Sequence, residues 1–268
     1  MKPIAVRSIS ELVKESRRHY GSSISGVSCL SPVLYRGQAN ADWPLKTTLE
    51  RFSTQPFSMS DYTECVRLIG DRFPALCAAS PYAYLTPANT WPEFIGNRDL
   101  RDAMVCLRHL GFPSPLLDWT ASPYIAAYFS FRDARGQGQV AVYAYKETNG
   151  IGKSTWNADP NIRSIGHNLR THSRHHVQQA QYTLCLAESE GIAPFRSHED
   201  VFARGDVDQD LLAKFILPAE IRDDALAELH SMNINEHSLF GSEEGLCRAL
   251  AQELIPRSPR RQQNVFGN

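Results

Sequence analysis

Apolar residues recur at helical spacing in stretches separated by short β-branched and aromatic runs, and that interleaving limits the fold more than any other feature. Ser8-Ile9-Ser10-Glu11 has capping-box spacing, so a first helix is expected over about Ser10 to Tyr20, ended by Gly21. Tyr62, Val66, Ile69, Phe73 and Leu76 mark a second amphipathic helix, and Leu100, Ala103, Leu107 and Leu110 a third before Gly111. Ser122-Pro123 is an N-cap followed by proline at the first helical position, and it opens a short apolar helix through Phe129. Strands are expected at Pro32–Gly37, Gln139–Tyr145, Tyr182–Leu186 and the run ending at Pro218. Ile221, Ala225, Leu229 and Met232 mark a helix after that run, and another starts near Ser242. The pattern predicts an α+β fold: a single mixed domain with a central β-sheet flanked by helices. Residues 1–31 form an N-terminal helix and lead-in, 32–255 the domain, and 256–268 a flexible basic tail.

Several classes of function are disfavoured by composition. The formal net charge is −1 over 268 residues, so any nucleic-acid or membrane contact would need a local patch. Apolar runs are too short to cross a bilayer and the N-terminus lacks a secretory apolar stretch, so a cytoplasmic protein with no membrane partner is expected. The 6 cysteines are scattered without a C-x-x-C pair and read as small buried hydrophobes. His167, His172, His175 and His176 lie among Arg163, Arg170 and Arg174 without a paired acidic motif. They predict a basic face rather than a metal site, and no metal is expected. Pro81 to Pro92, with its tyrosines and tryptophan, reads as an ordered loop packed on aromatics.

Three blocks carry a resemblance. Tyr35-Arg36-Gly37-Gln38 is followed by Trp43-Pro44-Leu45, Leu49 and Arg51. Arg108-His109-Leu110-Gly111-Phe112-Pro113 runs on through Leu116-Leu117-Asp118-Trp119-Thr120 to Tyr128-Phe129. Ile234-Asn235 through Ser238-Leu239-Phe240 to Glu244-Gly245-Leu246 forms the last. In this order they resemble the FRG domain family, named for its aromatic-Arg-Gly motif, over roughly residues 34 to 250. Pro115 stands where the family often has arginine, and Gly241-Ser242 where it usually has Pro-Asp.

The opening motif is also similar to the first motif of arginine-type ADP-ribosyltransferases, which bind NAD through an aromatic-Arg-Gly on an early strand. Arginine followed by glycine can bring a guanidinium fork and backbone close to a phosphate. Asp118-Trp119-Thr120-Ala121-Ser122 looks like a variant of those enzymes' Ser-Thr-Ser strand. Their Glu-x-Glu strand resembles the run ending at Pro218, but Leu212 and Lys214 stand in place of the glutamates. The resemblance therefore implies a carboxylate from elsewhere: Glu244 first, Glu243 beside it, Asp118 next. It implies Arg36, Thr120, Ser122, Glu244, His109 and Asp118 as catalytic candidates. Tyr35, Arg36, Gly37, Gln38, Trp119, Tyr128 and Gln179 are the candidate NAD-binding residues. NAD is the implied substrate, with an unknown protein or nucleic-acid acceptor and a role as an intracellular toxin or phage-defence effector.

Each position also has a structural explanation. Arg36 could pair with Asp118, Ser122 caps a helix, and Glu243 and Glu244 suit a helix's first turn. His109 suits a helix C-terminus, and Trp119 and Tyr128 could be core. Two other functions stay open: a non-catalytic nucleotide- or nucleic-acid-binding module using Arg36 and the basic stretch 163 to 181, and a hydrolase or nuclease using Asp118, His109 and Glu244.

Overall fold

The computed structural model describes residues 2–21, 31–72, 88, 90–149, 161–165, 169, 174–187 and 193–254. His167, His172, Arg170, the tail 256–268, the lead-in over 22–30 and most of the Pro81–Pro92 stretch lie outside the described residues. The strands are β1 (Ile4–Ala5), β2 (Val33–Gln38), β3 (Leu117–Thr120), β4 (Gln139–Thr148), β5 (Asn161–Ser164), β6 (Ala180–Leu186) and β7 (Gln209–Pro218). They form one 7-stranded sheet in the order β1-β7-β4-β2-β3-β6-β5. β1 joins β7 in parallel and the other neighbours are antiparallel, which makes the sheet mixed.

The helices are α1 (Ile9–Tyr20), α2 (Thr48–Phe52), α3 (Met59–Arg72), α4 (Trp91–Gly96), α5 (Arg98–His109), α6 (Pro123–Arg132), α7 (Arg174–Val177), α8 (His198–Phe202), α9 (Arg222–Ser231), α10 (Glu236–Phe240) and α11 (Glu243–Leu254). With the sheet they make the single α+β domain that the interleaved pattern predicts. Ser8 caps α1 by accepting from Glu11 N, while the Glu11 carboxylate reaches back to Arg7 N rather than to Ser8. Ser122 caps α6 by accepting from Ile125 N, with Pro123 at its first turn.

Two apolar layers share one sheet face. Tyr35 lies opposite Thr120 and Thr120 opposite Ala180, so strand alternation places all three on that face. Over β2, β4 and β7 this face is covered by Ile9 and Leu12 of α1, Tyr128 and Phe131 of α6, and Leu229 of α9. Over β6 it is covered by Tyr62 of α3 and by Leu100 and Met104 of α5. The opposite face buries Leu34, Trp119, Tyr143 and Tyr145 beneath Val201 of α8. Between the two layers, the β2–β3 ladder is held at Tyr35↔Thr120 alone. β2 and β3 are otherwise paired on their outer sides, with β4 and β6.

Among the described cysteines Cys185 is buried, but Cys247 is exposed on α11, which corrects the expectation that all are buried. Cys247 lies with Leu246 and Arg248 on an exposed side of α11.

Candidate functional site

A cleft of about 450 Å³ opens where β2 and β3 part, floored by Tyr35, Arg36, Gly37, Gln38, Asp118 and Thr120. Its walls come from α2, α5, α6, α7 and the end of α10. Five arginines line it, Arg36, Arg51, Arg108, Arg132 and Arg174, against Asp118 and Asp133, a formal surplus of three positive charges.

Asp118 organises the centre. Arg108, in the last turn of α5, binds both oxygens of its carboxylate in a fork, through Nε and NH2. The other terminal nitrogen of Arg108 donates to Thr48 Oγ1 at 2.6 Å, and that oxygen also accepts from Ser114 N at 2.9 Å. α2 is set for this by a capping box between Thr47 and Glu50. Arg36 donates to the Asp118 backbone carbonyl at 2.8 Å and stands 3.9 Å from its carboxylate. Burial pushes the Asp118 carboxyl up, but the charge and hydrogen bonds of Arg108, with Arg36 and His109, outweigh it and hold the group below the usual carboxylate range. Burial, partly countered by Asp118 and reinforced by Arg108 and Arg51, brings Arg36 down to about 10. Arg36 is thus a cation in a desolvated place whose nearest carboxylate is shared with a closer arginine. Its Nε and the Oε1 of Gln38 are buried without a hydrogen-bond partner.

The glycine of the motif has a different duty from the one its spacing suggests. A β-carbon on Gly37 would lie 2.0 Å from Ala126 O and 2.6 Å from Ser130 N, so α6 rests its backbone directly on β2 there. Gly37 borders the cleft, but the bulk it lacks is required by the helix.

Thr120 is fully engaged: its hydroxyl donates to Gln178 O at 2.7 Å and accepts from Ser122 N at 3.1 Å. Gln178 in turn donates to Leu239 O at 3.0 Å, tying the end of β3 to α10. His109 and His175 both hydrogen-bond the Tyr182 hydroxyl, at 2.9 and 3.2 Å. Burial, with His176 and His109 nearby, lowers the His175 pKa. On the far wall Phe240 carries two guanidinium groups, Arg132 at 5.5 Å and Arg174 at 5.4 Å from its ring centre.

Of the twelve catalytic and NAD-binding candidates named from sequence, Tyr35, Arg36, Gly37, Gln38, His109, Asp118, Trp119 and Thr120 line this one cleft. Four do not. Ser122 is occupied as the α6 cap. Tyr128 is buried and donates to Glu236, itself 3.9 Å from Arg132 and 3.5 Å from Arg248. Gln179 sits in a left-handed turn at φ 47°, and its neighbour Gln178 lines the cleft instead. Glu244 is exposed on α11 and pairs with Arg248 one turn on. Lys214, at the position compared with Glu-x-Glu, donates to Ala41 O at 2.6 Å and lies over the Tyr143 ring on the opposite face. Sequence reasoning assigned no role to Arg108, Arg132, Asp133 or Phe240. Among the described residues no group of three or more His, Cys, Asp or Glu could hold a metal ion. No described helix is long and apolar enough to cross a membrane.

The FRG domain family model matches residues 31–139. Residues 31–139 carry an FRG domain. The matched segment holds the cleft floor and Arg51, Arg108, Arg132 and Asp133, while Arg174, Gln178, Tyr182 and Phe240 lie beyond it. Ile234 to Leu246, read from sequence as a closing block of the family, also falls beyond the matched residues. Neither a curated protein nor a solved structure matches the chain.

Proposed function

We propose that this cleft binds a nucleotide through its phosphates, NAD being the nucleotide that the ADP-ribosyltransferase resemblance implies. The observation that carries the reading is the surplus of arginines over carboxylates in a partly enclosed space, centred on the desolvated Arg36. Guanidinium forks bind phosphate oxygens in pairs, and the interaction strengthens as water is excluded. Isothermal titration of NAD and ADP at low salt tests it. Binding that weakens with salt and is lost in Arg36→Gln is expected. Wild-type protein that binds neither ligand, or an Arg36→Gln variant that binds like wild type, sinks the proposal.

ADP-ribosyl transfer is the second reading, favoured by Arg36, Thr120 and Asp118 lining one cleft. In that reaction the bond from ribose carbon to nicotinamide nitrogen breaks with its electron pair leaving on nicotinamide. An acceptor nucleophile then bonds to the carbon and releases its proton. Positive charge grows on the ribose in the transition state, and a nearby carboxylate stabilises it. Asp133, more open than Asp118 with 61% against 43% of its side chain exposed, is the better placed of the two described carboxylates. Both are paired with arginines, which favours binding over transfer. Incubation with labelled NAD and lysate separates the two: label transfer lost in Asp133→Asn supports catalysis, and binding without NAD consumption leaves a non-catalytic module. A toxin or phage-defence role belongs to the catalytic reading, and it predicts growth arrest on expression that Asp133→Asn relieves. A hydrolase built on Asp118, His109 and Glu244 would have only the first two in the cleft, since Glu244 lies outside it, paired with Arg248.

A further inference from the structure

We propose that Trp43 is the platform on which the nucleobase stacks, an inference that rests on the nucleotide-binding reading. Trp43 lines the cleft and is 51% exposed. The other aromatic walls are taken. Tyr35, Trp119 and Tyr182 are buried, and their polar atoms bond Ser16, Thr183 and the two histidines. Phe240 is covered by Arg132 and Arg174, while Phe129 meets Phe240 edge-on and has Arg132 5.6 Å from its ring centre. Trp43 alone of these described cleft aromatics keeps half its surface open.

The loop that presents Trp43 is braced on both sides. Ala41 N donates to Gln139 O at 2.8 Å, and Ala41 O accepts from Lys214 Nζ at 2.6 Å. Leu45 N donates to Glu199 Oε1 at 2.9 Å, and Gln38 Nε2 to Pro44 O at 3.3 Å. Ala41 and Leu45 are buried on either side of the exposed ring. The backbone that carries a large flat apolar side chain is thus fixed before any ligand arrives, so stacking on it costs ordering of the side chain and not of the loop. Trp43 lies five residues after the end of β2 and lines the same cleft as Arg36 and Arg51, so a base on its ring can accompany phosphates bound by those arginines. Stacking reads a ring face rather than an edge, so the site would take nucleotides with modest base preference.

Titration of ADP and of inorganic tripolyphosphate into wild type, Trp43→Ala, Trp43→Phe and Arg36→Gln tests this. Trp43→Ala should weaken ADP roughly 5- to 150-fold and leave tripolyphosphate unchanged, because one stacked base is lost and no phosphate contact is. Trp43→Phe should recover much of the loss, and Arg36→Gln should weaken both ligands. ADP should quench tryptophan fluorescence in wild type and not in Trp43→Phe, a readout that holds even if Trp43→Ala misfolds. The proposal is overturned if Trp43→Ala weakens both ligands alike, or neither, or if wild type binds ADP no better than tripolyphosphate. Wild type that binds neither ligand rejects the nucleotide site itself and this platform with it.

Discussion

Gly37 and Ala126 touch so closely that a β-carbon on the first would lie 2.0 Å from the carbonyl oxygen of the second. Both atoms facing the intruder belong to the α6 backbone, which cannot swing aside as a side-chain tip would. Gly37→Ala is therefore expected to destabilise at or beyond the upper end of the ~1–3 kcal/mol typical of overpacking. Denaturant unfolding measures it, and a change below about 0.5 kcal/mol, the range of neutral surface substitutions, would contradict the packing described.

Arg108 is expected to matter for both stability and binding. Arg108→Ala leaves Asp118 facing Arg36 alone and removes the donor to Thr48. Breaking a fully buried pair costs ~3–5 kcal/mol, and the half-open Asp118 carboxylate lowers that to about 1–3 kcal/mol here. Asp118→Asn should cost at least as much in stability as Arg108→Ala, because it leaves Arg108 and Arg36, both more buried than the carboxylate, without their counter-charge. Thermal unfolding of the two variants checks the order.

Two windows of acid sensitivity follow from the pKa directions. His175 is held below its ordinary value, so the unfolded chain takes up its proton first, and stability present above about pH 6.5 is lost as pH falls from there. Asp118 is also held low. Its contribution is full above the unfolded value of about 3.9 and is lost as pH falls through the lower folded value. Melting temperature measured from pH 7 to pH 3 should fall in two stages. His175→Gln should flatten the first and Asp118→Asn the second, and a variant that leaves its stage intact refutes the assignment.

Glu244→Ala is expected to change little. Its carboxylate makes an exposed pair with Arg248 along one helix face, an arrangement worth about 0.3–0.5 kcal/mol. Nucleotide affinity should match wild type. A large loss would mean that α11 reaches the cleft in the bound state.

The elements with internal periodicity were legible: α1 and α5 lie within a residue or two of their expected ranges, and α6 starts where its cap places it but runs three residues past Phe129, because caps and apolar spacing are local signals. β1 was not, since a strand of 2 residues owes its existence to β7. The floor of the site followed from motif residues on β2 and β3, yet its walls did not. Arg108 reads in isolation as a cation suited to a helix end, and it gains its partner only when β3 brings Asp118 back beside it. Arg132 and Arg174 meet over Phe240 through three separate helices, a meeting that strand order decides. A left-handed turn at Gln179 exchanges that side chain for Gln178, a one-residue shift that composition cannot reveal.

The single β2–β3 pairing also bears on what the matched segment is. Within residues 31–139 the sheet amounts to β2 and β3 with the first residue of β4, joined at Tyr35↔Thr120. The neighbours that secure both strands, the body of β4 and all of β6, come from later in the chain. Cut out alone, the segment would present two bare strand edges to solvent and invite self-association. The family signature therefore marks the seam of a sheet, and the rest of the chain is the cloth that keeps it closed.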